Sequence, residues 1–193
     1  MEKKIKLYMV MLGCVPPGRL TEQHDIFFGI GPSLKEMIPK MKGFWPEAKG
    51  RIHIDAWRKV SVVDNFLIEI IAKEAVENVD LNHLFFINLG GYKENEFEEY
   101  HYKILTVAQS MGLASKKAKK STFYKHCGFK GAGVSHIDDK YGIDVDDLYK
   151  VTDILDSQLK ELYALKISKS EDTLQEDVLH IGYLKLNKIA DTL

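Results

Sequence analysis

The chain has 193 residues, 45% of them hydrophobic and 28% charged, which is the length of one large or two small domains and the composition of an ordinary globule. Disorder, collagen and coiled coil are excluded. A formal net charge of -1 exerts no general pull on nucleic acid or anionic lipid, and no apolar run approaches the roughly 18 residues that span a bilayer. With only Cys14 and Cys127 there is no disulfide framework, so the expected location is the reducing cytoplasm. No signature of a known reaction occurs, and whether the chain is an enzyme does not follow from its sequence.

In chain order, residues 7–12 form a short apolar run of strand formers stopped by Gly13. Preceded by lysines and followed by Cys14, the run superficially resembles a lipoprotein leader, but it is short for one and Glu2 interrupts its basic region. Gly13-Cys-Val-Pro-Pro-Gly-Arg19 reads as a stiff turn, or as a pocket rim whose Arg19 forks onto a carboxylate or phosphate. Residues 25–30 make a second strand. Ser33-Leu-Lys-Glu36 is a capping box that starts a helix. Pro39 kinks that helix or opens a second turn, and Gly43 weakens its end, so it is short. His53-Ile-Asp55 opens a third strand, and residues 66–71 alternate well enough for a fourth.

The pattern then returns. Sliding the sequence by 77 places sets Leu7-Tyr-Met-Val-Met-Leu-Gly13 on Leu84-Phe-Phe-Ile-Asn-Leu-Gly90, and Glu22-Gln-His24 on Glu99-Tyr-His101, without a gap. Leu, Leu, Gly, Glu and His recur identically where chance gives about one identity. After a few inserted residues, His53-Ile-Asp55 meets His136-Ile-Asp138. Since the run at 84–89 lies mid-chain, its twin at 7–12 is read as a strand. In the second copy, residues 102–107 are the second strand and 114–124 the helix. Residues 162–167 and 178–186 flank a polar turn and suggest a closing hairpin.

The expected fold is therefore α+β: two tandem ββαβ-type repeats related by pseudo-twofold symmetry and packed as one body, plus a C-terminal hairpin. The first repeat takes residues 1–78, the second 79–155, and residues 156–193 supply strands that pack on the repeats.

Leu-Gly-Cys-Val-Pro-Pro-Gly-Arg19, Thr21-Glu-Gln-His-Asp25, Phe27-Phe-Gly29, Phe44-Trp-Pro-Glu47 and His53-Ile-Asp-Ala-Trp57 follow in order. In these motifs the chain resembles a small, mostly bacterial family catalogued as domain of unknown function 1543. The second copy resembles it through Leu89-Gly-Gly91, Glu99, His101, His136, Asp138 and Asp144-Val-Asp-Asp147, but lacks the Pro-Pro-Gly-Arg turn and the tryptophans. The resemblance implies a domain that occurs singly or in tandem. It implies no established activity.

Glu-x-His plus His-x-Asp, present twice, is the most specific constellation. Residues two apart on a strand share a face, so Glu22 with His24 and His53 with Asp55 each offer a two-donor edge, as do Glu99 with His101 and His136 with Asp138. Two imidazoles and two carboxylates suit a divalent metal such as zinc, iron or manganese, or a small ligand. The competing reading is structural: strand-end histidines bonded to carbonyls and aspartates capping turns. Cys14 joins the candidate ligand-binding residues, although no local signature makes it a nucleophile. An alternative function is nucleic-acid binding through Lys116, Lys117, Lys119, Lys120, Lys125 and Lys130, which interleave with aromatics. A solvated lysine-rich helix face, or a seam against the aspartates at 144–147, explains the same run. A purely structural or interaction role, with or without homo-oligomerisation, is the third reading. Asp144-Val-Asp-Asp147 lacks the glycine and glutamate of a calcium loop and reads as a surface turn.

Overall fold

Residues 7–12 and 84–89 are apolar runs rich in strand formers, and each forms the middle of a three-stranded antiparallel arrangement. The computed structural model describes residues 4–76, 81–92, 95–120 and 144–190, with backbone alone for Tyr92 and Asp144. Contacts divide the chain into two units, one of residues 1–77 with 155–193 and one of residues 78–154.

In the first unit β1 (Lys6–Cys14) lies between β2 (Gln23–Gly31) and β3 (His53–Lys59), antiparallel to both. Its even-numbered residues Tyr8, Val10, Leu12 and Cys14 enter the core with Phe27, Met41, Ile54 and Trp57. Gly13 therefore faces the other side of the sheet, because strand side chains alternate. Pro16 to Arg19 close a type II turn: the Arg19 N–H donates to the Pro16 carbonyl at 3.1 Å while Gly18 takes a φ of 81°. The Ser33 hydroxyl accepts from the Glu36 N–H at 3.4 Å. A 3₁₀ turn, Lys35–Met37, then passes into α1 (Ile38–Phe44), whose first turn holds Pro39. Proline there loses no helical hydrogen bond, so it opens the second turn rather than breaking the first.

Asp64 and Asn65, at φ 52° and 63°, join β4 (Val62–Val63) to β5 (Phe66–Ala72) as a two-residue hairpin.

The second unit holds β6 (His83–Tyr92) between β7 (Glu99–Ala108) and β8 (Asp144–Lys150), again antiparallel. Phe85, Ile87 and Leu89 of β6 pack with Ala114 and Ala118 of α2 (Met111–Ala118). This helix starts earlier than the lysine run suggests, because the Ser110 hydroxyl caps it by accepting from the Leu113 N–H at 3.3 Å. Asp144-Val-Asp-Asp147 is a strand and not a surface turn, since Val145 and Leu148 pack on the apolar cluster. After it come α3 (Val151–Ile154) and, in the first unit, α4 (Ser157–Leu162).

The C-terminal strands, β9 (Tyr163–Lys169) and β10 (His180–Lys185), do not form a hairpin. β9 pairs with β5 and β10 with β3, on different sheets. The turn between them is diverted by side chains that sequence reading left out. Asn65 donates to the Ser170 carbonyl at 3.1 Å and accepts from the Leu174 N–H at 2.8 Å. Asp177 then accepts from the Ser61 and Val62 N–H groups at 2.7 and 3.0 Å. The resulting four-stranded sheet runs β10-β3-β1-β2. Among the described residues no helix is long and apolar enough to cross a membrane.

Candidate metal centre

Directly opposed residues on neighbouring antiparallel strands share a face. Gly13 opposes His24 on β2 and His53 on β3, so these three form one row on the side of the sheet away from Tyr8, Val10 and Leu12. Glu22, two residues before His24, and Asp55, two after His53, belong to the same face. A β-bulge sharpens the arrangement: Met11 pairs with Ala56 and Leu12 with Ile54, leaving Asp55 as the extra residue. Bulges re-aim side chains in this way.

The four side chains converge. His53 Nε2 lies 2.9 Å from Glu22 Oε1 and 3.2 Å from Asp55 Oδ1. His24 Nε2 lies 3.3 Å from Asp55 Oδ2 and 3.9 Å from Glu22 Oε2. Gly13 is the floor: a Cβ there would stand 2.3 Å from Asp55 Oδ2 and 2.6 Å from His53 Nε2. Only a residue without a side chain leaves that volume to the donors.

These short approaches are not hydrogen bonds. His53 is 9% exposed, and its Nε2, like Asp55 Oδ2, is buried without a hydrogen-bond partner among the described residues. A buried polar atom left unsatisfied costs about 1–3 kcal/mol. Bonds of about 2.0–2.2 Å to a four-coordinate zinc-sized ion put adjacent donors about 3.3 Å apart. The observed separations bracket that figure, and Glu22, His53 and Asp55 each present a donor atom within 4.8 Å of the others. With one imidazole and two carboxylates that group suits a divalent ion such as zinc, iron(II) or manganese, and His24, 3.3 Å from Asp55 Oδ2, stands beside it as a further imidazole.

The second unit repeats the row with one change. Gly90 opposes His101 on β7 and Asp144 on β8. Asp146 is the extra residue of a bulge between Asn88 and Leu89, the places that lie 77 residues after Met11 and Leu12. A Cβ on Gly90 would collide with the Asp146 carboxylate, its Oδ2 2.1 Å away. His101 Nε2 is 3.5 Å from Asp146 Oδ2 and 4.0 Å from Glu99 Oε2. Glu99, His101 and Asp146 form a second group of convergent donors.

His136 and Asp138 lie outside the described residues. In the strand register, the places that His53 and Asp55 take in the first unit are held by Asp144 and Asp146. The sequence match followed the identity of His-Ile-Asp, whereas register follows the inward residue, Ile54 in one strand and Val145 in the other.

Cys14 does not join the donors. It is 2% exposed and packs in the core, on the face opposite Gly13. Burial, and then the nearby Glu22 carboxylate, push its thiol pKa up. Arg19 is exposed on the turn that leads to Glu22. Of the lysines, Lys117 donates to the Val107 carbonyl at 2.5 Å, which draws it back onto β7. Lys116 and Lys120 are exposed and Lys119 is half-buried. Lys125 and Lys130 lie outside the described residues.

Sequence reading missed the part played by β10. Tyr183 sets its ring against the His53 ring, centroids 4.4 Å apart, and His180 stacks on Trp57 at 3.8 Å. No local motif announces either pair.

Residues 19–70 match the family described as Domain of Unknown Function (DUF1543). That span contains Glu22, His24, His53 and Asp55, while Gly13 precedes it and Tyr183 follows it. Among solved structures the chain is similar to protein Il1583 from Idiomarina loihiensis, with 24% identity and a TM-score of 0.60. The match covers 94% of this chain and 98% of that one, and it is a likeness of fold. No curated protein matches the chain.

Proposed function

We propose that the chain is a divalent-metal-binding protein whose principal centre is Glu22, His24, His53 and Asp55. The observation that carries this reading is the buried, unpartnered Nε2 of His53, held 2.9 and 3.2 Å from two carboxylates without hydrogen-bond geometry. A metal ion would satisfy that nitrogen and Asp55 Oδ2 together. The half-exposed Glu22 and His24 side chains leave one side open to water, so a bound ion would keep access to a small ligand.

The two units are, on this reading, copies of one ββαβ element. The shared strand order, the bulge at matching places and the glycine floor support that duplication, and the paucity of cysteines supports a cytoplasmic setting.

The test is calorimetric titration of chelator-stripped protein with Zn²⁺ and Mn²⁺. One tight equivalent is expected, with affinity falling as the solution is acidified because the ligands must be deprotonated. His53→Ala should weaken it by about 100-fold, the scale on which even outer-shell partners of a metal matter. Weak binding that His53→Ala leaves unchanged would overturn the proposal.

A further inference from the structure

β10 is an edge strand whose side chains are mostly exposed, yet one of its residues lies against the most buried donor of the metal centre. Its pairing with β3 breaks between Ile181, opposite Ala56, and Leu184, opposite Ile54. Gly182 and Tyr183 thus stand against the single residue Asp55, so the two strands are irregular at the same place. Gly182 takes a φ of 134° with nothing within 4 Å of a would-be Cβ. The glycine is required there by backbone conformation and not by space.

This detour brings the Tyr183 ring to 4.4 Å from the His53 ring at an interplanar angle of 39°. The tyrosine remains 63% exposed, so its position is not explained by burial in the core. We propose that Tyr183 is a positioning residue for the metal centre, its ring holding the His53 imidazole in the rotamer that aims Nε2 at the ion. This inference rests on the metal reading above.

A metal-ligating histidine is held in orientation by its outer shell, usually by a group that accepts its second ring N–H, and loss of such a partner costs about 10- to 100-fold in metal affinity. Here the neighbour is an aromatic face carried by the C-terminal strand, which lies outside residues 19–70. The metal-binding competence of the first unit would then depend on a segment from the far end of the chain.

The test uses the full chain with Co²⁺ as probe, read by competition against a chromophoric chelator and by the visible spectrum of the bound ion. Tyr183→Phe keeps the ring and should bind within about twofold of wild type with the same spectrum. Tyr183→Ala and Tyr183→Leu should weaken binding about tenfold or more and alter the Co²⁺ spectrum. The melting temperature of the metal-free protein should move little in either, since the side chain is mainly exposed. Gly182→Ala should resemble Tyr183→Ala. Wild-type affinity and spectrum in Tyr183→Ala and Tyr183→Leu would overturn this inference and leave the metal reading standing. Absence of Co²⁺ binding by the wild type would overturn both.

Discussion

The two donor groups stand on the same strand framework and differ in what flanks it. In the first unit the row across the glycine is His24, Gly13, His53; in the second it is His101, Gly90, Asp144. The first has β10 on the far side of β3, whereas β8 is the edge of its sheet among the described residues. Exposure follows: the His53 side chain is 11% exposed, against 36% for His101 and 32% for Asp146. A glycine floor and a bulge gather donors in both units. Burial and a second imidazole distinguish the first donor group from the more water-facing group of Glu99, His101 and Asp146, in which surface charges interact weakly.

Substituting His53→Asp writes the second unit's row into the first, and tight Zn²⁺ binding should fall by about 100-fold or more, read by chelator competition. Retention of wild-type affinity would mean that the second imidazole is not what distinguishes the units.

Gly13→Ala tests the floor. Its Cβ would overlap Asp55 and His53, whose atoms are 2.3 and 2.6 Å from it, so a loss of about 10- to 100-fold in Zn²⁺ affinity is expected. Gly90→Ala should leave that affinity unchanged, because the atoms it would displace belong to Asp146. Equal effects of the two substitutions would show that both act through general stability.

His101→Ala should leave the tight equivalent in place, with affinity within about twofold by calorimetry. If it removes tight binding, the principal centre lies in the second unit.

The smallest effect concerns Cys14. Its thiol is shielded, and its raised pKa favours the unreactive protonated form. In a Cys127→Ser background the native protein should react with a maleimide far more slowly than the unfolded chain. Because the folded-state pKa lies above the unfolded one, the thiol's contribution to stability is present below the unfolded pKa and declines as pH rises through the folded pKa. A native reaction as fast as that of the unfolded chain would place Cys14 at the surface after all.

Much of this arrangement was legible in sequence. The apolar runs of strand formers at residues 7–12 and 84–89 predicted the two central strands, and the two-residue spacing within Glu22-Gln-His24 and His53-Ile-Asp55 predicted shared faces. Which strands lie side by side was not legible, because pairing depends on contacts far apart in sequence. Gly13 read as a strand terminator, yet it lies within β1; its recurrence as Gly90, at the same distance before a histidine, was the available signal. His136 was chosen by residue identity, while register obeys the inward residues Ile54 and Val145. The hairpin failed because two apolar runs around a polar turn carry no record of Asn65 and Asp177, which lead the chain to separate sheets. Tyr183 gave no signal, since its place follows from a bulge in an edge strand.

X-ray absorption at the zinc edge, on protein loaded with one equivalent, tests the central claim most directly. Two imidazoles with oxygen ligands at about 2.0–2.2 Å and no sulfur is the result expected for Glu22, His24, His53 and Asp55. A single imidazole, or a sulfur at about 2.3 Å, would contradict it.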